Sequence, residues 1–249
     1  LRPHYGVRVQ GGEMISRFCA TLILSALTVA AAGQSVSGIV RLDGPCPLRA
    51  PLPLTPESRK FYEGKPYPHS EVELVGLKGG IKNVFVYVKK GLPAGKSYAA
   101  PGVGGLLDQK KSMFRPRVQG IFVGQELTLR NSDPFIHNVR SLSDENRPFN
   151  IGQPAKSPDR KKKFRDKEGP IELRCDFHPW MRAYLFVMEH PYFAVTDDQG
   201  RYTIKNLPTG KYTLGFWHEA YGEQNKHIIV GVEALDKILS TYKPKVRKQ

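Results

Sequence analysis

Two short runs of alternating apolar and polar residues constrain this chain most, because each leads into a side chain that binds soft metals. Ile171, Leu173 and Cys175 alternate with Glu172 and Arg174, the period-two pattern of a strand with one face turned inward. Leu127 and Leu129 alternate in the same way with Glu126, Thr128 and Arg130, and lead through Asn131-Ser132-Asp133-Pro134 to His137. Cys175 is followed at three-residue steps by His178 and Met181. A thiolate, two imidazoles and a distant thioether make the His₂Cys plus weak axial Met set that suits a blue-copper electron-transfer site. Three of these residues lie in one short loop, so His137 must come from a separate strand end to close the site. A plainer reading stands beside this one. Free cysteine is among the most buried residue types, and methionine is a common core filler. The position of both ligand segments at the ends of inward-facing strands favours the metal.

The remaining sequence predicts an all-β chain. Its 24 glycines and 20 prolines punctuate short alternating segments, as strands joined by turns require. Strands are expected over residues 37–42, 81–90, 201–204, 211–217, 228–232 and 238–242, with two more pieces over 118–130 broken near Gly124. Residues 45–68, rich in proline and charge, are expected to be irregular surface chain. No helix of useful length is predicted. There is no glycine-rich nucleotide fingerprint, P-loop, HExxH or GxSxG motif. Met181 fills the remaining coordination direction and no general base stands beside it, so the chain is not expected to be an enzyme. At 249 residues it can bury a core without disulfide staples.

Met14-Ile15-Ser16-Arg17 reads as a basic n-region, residues 18–29 as an apolar h-region and Ala30-Ala31-Ala32 as a small-residue cleavage site, which together describe a secretory signal peptide. The apolar run is too short to span a bilayer. Residues 1–33 are therefore assigned to an upstream extension and signal starting at Met14. The mature chain is expected in the periplasm or another extracytoplasmic space, touching membrane only through an uncleaved signal. Cys19 leaves with that segment. Cys46 and Cys175 remain, and two cysteines in an exported chain invite a disulfide. That bond would dismantle the metal site, and the sequence leaves the choice open.

The formal net charge of +15 falls to about +13 without residues 1–33, which carry Arg2, Arg8 and Arg17 against Glu13. The excess concentrates in residues 156–167, where Lys161, Lys162 and Lys163 are consecutive, and in the tail at Lys243, Lys245, Arg247 and Lys248. Such runs are commonly solvated loops. With a single aromatic residue, Phe164, in the basic run and an export signal upstream, nucleic acid is disfavoured and not expected as a partner. An acidic protein or an anionic surface fits better.

Cys175-x-x-His178-x-x-Met181, together with His137-Asn138-Val139, resembles the cupredoxins, and the loop spacing is similar to that of amicyanins. The resemblance covers the region assigned as a cupredoxin-like domain, residues 34–190. It implies a Greek-key β-sandwich with one type 1 copper per chain. His137, Cys175 and His178 would be the equatorial ligands, Met181 the axial one, and Asn138 a hydrogen-bonding tie between the two ligand loops. Phe177 stands where amicyanin-like loops often place proline, so its N–H is free to reach the thiolate. The loop histidine of such sites meets solvent. His178, flanked by Pro179 and Trp180, would then form an apolar docking patch, with Lys161, Lys162 and Lys163 steering an acidic redox partner.

Residues 196–202 and 206–212 look like the carboxypeptidase regulatory-like, or transthyretin-like, β-sandwich. This is either a contiguous module over 191–249 or one completed by strands from 38–90, with the cupredoxin as an insertion. His218-Glu219 reads as a surface polar pair. The resemblance implies an exported blue copper protein that shuttles single electrons between redox partners. The alternative is an envelope-associated binding or copper-holding protein whose β modules recognise a protein or polysaccharide.

Overall fold

The computed structural model describes residues 33–76, 78–231 and 238–243. The segment read as a signal peptide, Val232 and the basic tail beyond Lys243 lie outside the described residues. In chain order the elements are β1 (Gln34–Leu42), a six-residue helix α1 (Pro56–Phe61), β2 (Phe85–Lys90), β3 (Gly105–Gln109) and β4 (Phe114–Arg115). β5 (Val118–Phe122), β6 (Glu126–Asn131), β7 (His137–Leu142), β8 (Asn150–Gln153) and β9 (Arg160–Lys163) follow. Then come β10 (Glu168–Arg174), β11 (Arg182–Met188), β12 (Phe193–Val195), β13 (Arg201–Leu207), β14 (Gly210–His218), β15 (Gly222–Val230) and β16 (Ile238–Tyr242). The chain is all-β, as the alternation predicts. Gly124, at φ +84°, makes the turn between β5 and β6, a conformation open to glycine at little steric cost.

β3 to β11 form two sheets, ordered β4-β3-β6-β9 and β5-β11-β10-β7-β8. Leu107, Leu127 and Leu129 of one sheet meet Val139, Ile171, Leu173 and Leu185 of the other in a single core, and Cys175 and Met181 belong to the same cluster. A second sandwich uses sheets β13-β1-β16 and β12-β2-β14-β15, packed around Val36, Val40, Val84, Val86, Leu214 and Phe216. Its C-terminal strands share both sheets with strands from the start of the chain. β1 pairs antiparallel with β13 and parallel with β16, and β2 lies between β12 and β14.

β2 is buried on both faces. Val86 and Val88 point into the second core, while the Phe85 ring stacks on Phe186 of β11 with centroids 3.9 Å apart. Phe85, Val118, Phe186 and Met188, with Trp217 against them, form the junction between the sandwiches. An ion pair, Arg117 with Glu219, is enclosed there, each side chain only 4% exposed. This corrects the surface reading of His218-Glu219. The turn after β14 is pressed against the first sandwich, so Glu219 meets Arg117, and His218 is buried as well.

Two further expectations change. Residues 45–68 are not all surface chain: Leu52 and Leu54 are buried with Met113. Helix α1 starts at an N-cap, where the Thr55 hydroxyl accepts the Ser58 N–H and Pro56 occupies the first turn. The lysine run is not a loop. It is β9, antiparallel to β6 with Lys163 opposite Glu126 and Arg160 opposite Leu129, at the edge of its sheet. Lys161 pairs with Glu126 at 3.3 Å, and the Lys162 ammonium lies over the Phe149 ring. Lysines on an edge strand discourage pairing with another chain. Cys46 is exposed and free, and Cys175 is buried and free. Among the described residues, no helix is long and apolar enough to cross a membrane.

Candidate metal centre

The centre is assembled where β6, β7 and β10 end together. Asn131 closes β6: its side-chain N–H group donates to Phe135 O at 2.9 Å and Gln153 O at 2.8 Å. Its Oδ1 accepts the Asp133 N–H at 3.0 Å, a local turn that asparagine favours. The turn brings in the buried Asp133 carboxylate, which accepts the N–H of Lys111 at 2.6 Å and of Ser112 at 2.7 Å. The same carboxylate faces His137 Nε2 at 2.9 Å. A carboxylate accepts and cannot donate when ionised, so Nε2 carries the hydrogen and Nδ1 is left to face the site.

The second half comes from β10. The alternation that buries Ile171 and Leu173 also turns Cys175 inward. The Cys175 N–H donates to Met181 O at 3.2 Å and the Met181 N–H to His178 O at 2.8 Å, closing the loop on itself. Asn138 joins the two halves. Its Oδ1 accepts the Asp176 N–H at 2.7 Å, and its amide nitrogen donates to Asn150 Oδ1 at 2.7 Å and Asp176 Oδ2 at 2.8 Å.

His137 Nδ1 and His178 Nδ1 are 3.0 Å apart, and Cys175 Sγ lies 3.9 Å from the first and 3.6 Å from the second. Among the described residues, these three make the one group of His, Cys, Asp and Glu side chains whose ligand atoms converge. Metal bonds of roughly 2.0 Å to nitrogen and 2.3 Å to sulfur, in a trigonal set, put the ligand atoms ~3.5–3.7 Å apart. The three atoms therefore fit one first-row ion, and their softness suits copper. Met181 is fully buried beside them.

Burial works against ionising the Cys175 thiol. Hydrogen bonds with His137 and His178, and those from the backbone N–H groups of Asn138 and Phe177, outweigh it and bring the thiol down to about 6. Burial also opposes charging His137, but its bonds to Asp133 and Cys175 prevail and raise it above the ordinary imidazole value. The pocket thus favours a thiolate, the form that binds metal.

The expectation that His178 meets solvent does not hold: it is 2% exposed. The Phe135 and Trp180 rings close over it at centroid distances of 5.8 and 5.2 Å. Trp180 is itself half-buried. Its indole N–H donates to Ser112 O at 2.9 Å, and it packs, as does Tyr62, against the cluster of Leu52, Leu54 and Met113. Residues 52–62 therefore cover this side of the loop. Pro179 and Phe177 remain exposed, Phe177 at 49%. Lys161, Lys162 and Lys163 lie toward the Glu126 end of β6, away from Asn131 and the centre. Sequence reasoning misses Asp133, although the Asp133-x-x-x-His137 spacing is a signal that could have found it.

No family model and no curated protein matches the chain. Solved structures do. A copper-containing nitrite reductase from Thermus scotoductus SA-01 aligns at 20% identity over 40% of this chain and 25% of that one, with a TM-score of 0.33. A purple cupredoxin from Nitrosopumilus maritimus aligns at 22% identity over 34% of this chain and 99% of its own, with a TM-score of 0.29. A Cu(I) amicyanin variant aligns at 22% identity over 40% of this chain and all of its own, with a TM-score of 0.30. This chain spans a quarter of the nitrite reductase it matches. Likeness this slight carries neither fold nor function across, so the case for copper rests on this chain's own residues.

Proposed function

We propose that this chain is an exported one-electron carrier in which His137, Cys175 and His178, with Met181 as a weaker fourth ligand, would hold a single type 1 copper ion. The observation that carries the reading is the convergence of two Nδ1 atoms and a thiol held toward its thiolate form in a site closed to water. Bound copper would supply a one-electron couple whose two states accept the same ligand set. The protein's part is to hold that set still. Asp133 fixes the orientation and tautomer of His137, and Asn138 locks the Cys175 loop to the His137 strand. The N–H groups of Asn138 and Phe177 hydrogen-bond the thiolate and so tune the stability of the electron-rich reduced state.

The domain division we favour is discontinuous. β3 to β11 make a cupredoxin-like domain set between β2 and β12 of a carboxypeptidase regulatory-like sandwich, which is supported by the pairing of β1 and β2 with the C-terminal strands. Export rests on the signal-like residues 14–32. Copper-loaded protein should lose its colour on adding one equivalent of reductant and regain it with one equivalent of oxidant, over repeated cycles. Irreversible bleaching, or turnover of oxygen or nitrite at the centre, would replace the carrier reading with an enzymatic one.

A further inference from the structure

Three arginines stand side by side next to the metal loop. Arg174, the residue before Cys175, is directly opposite Arg140 of β7 and directly opposite Arg182 of β11. Like charges placed opposite one another across a sheet destabilise it, so folding alone does not favour this row. Glu172 offsets part of the repulsion, accepting from Arg174 at 2.7 Å and lying 3.3 Å from Arg182, while Asp176 stands 3.7 Å from Arg140. Three guanidiniums against two carboxylates leave the row positive. All three side chains stay about half-exposed. Phe177, three residues after Arg174 in the ligand loop, is exposed as well. The approach to the centre past His178 is closed by Trp180 and residues 52–62.

We infer that electrons leave and enter across the Arg140-Arg174-Arg182 face, where an acidic redox protein docks its carboxylates on the arginines and a small apolar spot on Phe177. The inference rests on the carrier reading above and relocates the docking surface from His178 and the β9 lysines. Arg174 and Phe177 are one and two residues from Cys175, so a partner seated there is separated from the thiolate by a few bonds of chain. The transfer needs no proton and no co-reactant: one electron leaves the reduced centre and one enters the oxidised partner. An arginine presents a planar fork that can take a carboxylate through two hydrogen bonds, which a lysine cannot do.

Two probes test this. Hexacyanochromate(III), a redox-inert paramagnetic trianion, should broaden the amide signals of Arg140, Arg174, Phe177 and Arg182 in the metal-free full chain before those of Lys161–Lys163. This readout does not depend on copper. In the copper-loaded chain, reduced and mixed with hexacyanoferrate(III) at low ionic strength, Arg140→Glu with Arg182→Glu should slow the second-order oxidation by about tenfold or more. The visible spectrum should be unchanged, and the loss should disappear as salt shortens the screening length from ~30 Å at 0.01 M to ~10 Å at 0.1 M. Reversing Lys161 and Lys162 to Glu adds the same charge and should slow oxidation less than twofold. Broadening spread evenly over all basic segments would overturn the inference, and so would equal slowing by the two reversals. Broadening at the arginine row in a protein that takes up no copper would instead remove the carrier reading and leave the anion-docking face standing.

Discussion

The two sandwiches are built from the same alternating strands but are closed differently. In the second, buried polar groups serve the backbone: the Thr196 hydroxyl donates to Ile81 O and accepts the Val84 N–H, beside a core of aliphatic and aromatic side chains. In the first, one end gathers six buried polar side chains, Asn131, Asp133, His137, Asn138, Gln153 and His178; Asn131, Asp133, Asn138 and Gln153 also bond the backbone, while Asp133, His137 and His178 are joined side chain to side chain. A buried polar group costs free energy unless it is hydrogen-bonded. The second sandwich shows that such strands close without a cluster of this kind, so its presence in the first is best explained by a ligand.

The largest test of that contrast is to separate the two. If the second sandwich needs β1 and β2, a chain of residues 191–249 should remain unfolded, while residues 33–249 melt cooperatively. A β-type spectrum and cooperative melting from 191–249 alone would return the module to a contiguous one. Next in size is the junction. Arg117→Met leaves Glu219 buried and unpaired, which should cost about 3–5 kcal/mol, whereas Arg117→Met with Glu219→Leu should recover most of it. Denaturant unfolding of the three proteins measures this. A single variant as stable as the parent would show that water reaches the pair.

Much of this was legible in the sequence, for a local reason. A strand's inward face is written in its period, so Leu127, Leu129, Ile171, Leu173 and Cys175 declared their side of the sheet, and all five are buried. The Cys175, His178 and Met181 triad shares one loop, which makes it readable as a motif. What escaped depends on contacts distant in sequence. The parallel pairs β1–β16, β3–β6 and β5–β11 leave no local signature. Leu52 and Leu54 are too sparse to announce that their segment would cover Trp180. Glu219 looked exposed because its partner, Arg117, is supplied by the other sandwich.

Smaller effects sharpen the picture at the polar end. Asp133→Asn weakens the acceptor for His137 and for the Lys111 and Ser112 N–H groups, so metal affinity should fall roughly 10–100-fold with the fold intact. Competition against a chelator measures it. An unchanged affinity would mean that Asp133 serves the turn alone. Smaller still, Phe177→Pro removes one N–H donor to the thiolate and should lower the reduction potential. Voltammetry reads this directly, and a potential that stays put or rises would assign the sulfur's hydrogen bonding to Asn138.

The central claim is that His137, Cys175 and His178 hold one copper through a thiolate, and titration of the purified protein with Cu(II) tests it most directly. An intense visible charge-transfer band should grow to saturation at one copper per chain, disappear in Cys175→Ser and only shift in Met181→Ala. A colourless Cu(II) complex, or equally tight binding by Cys175→Ser, would contradict it.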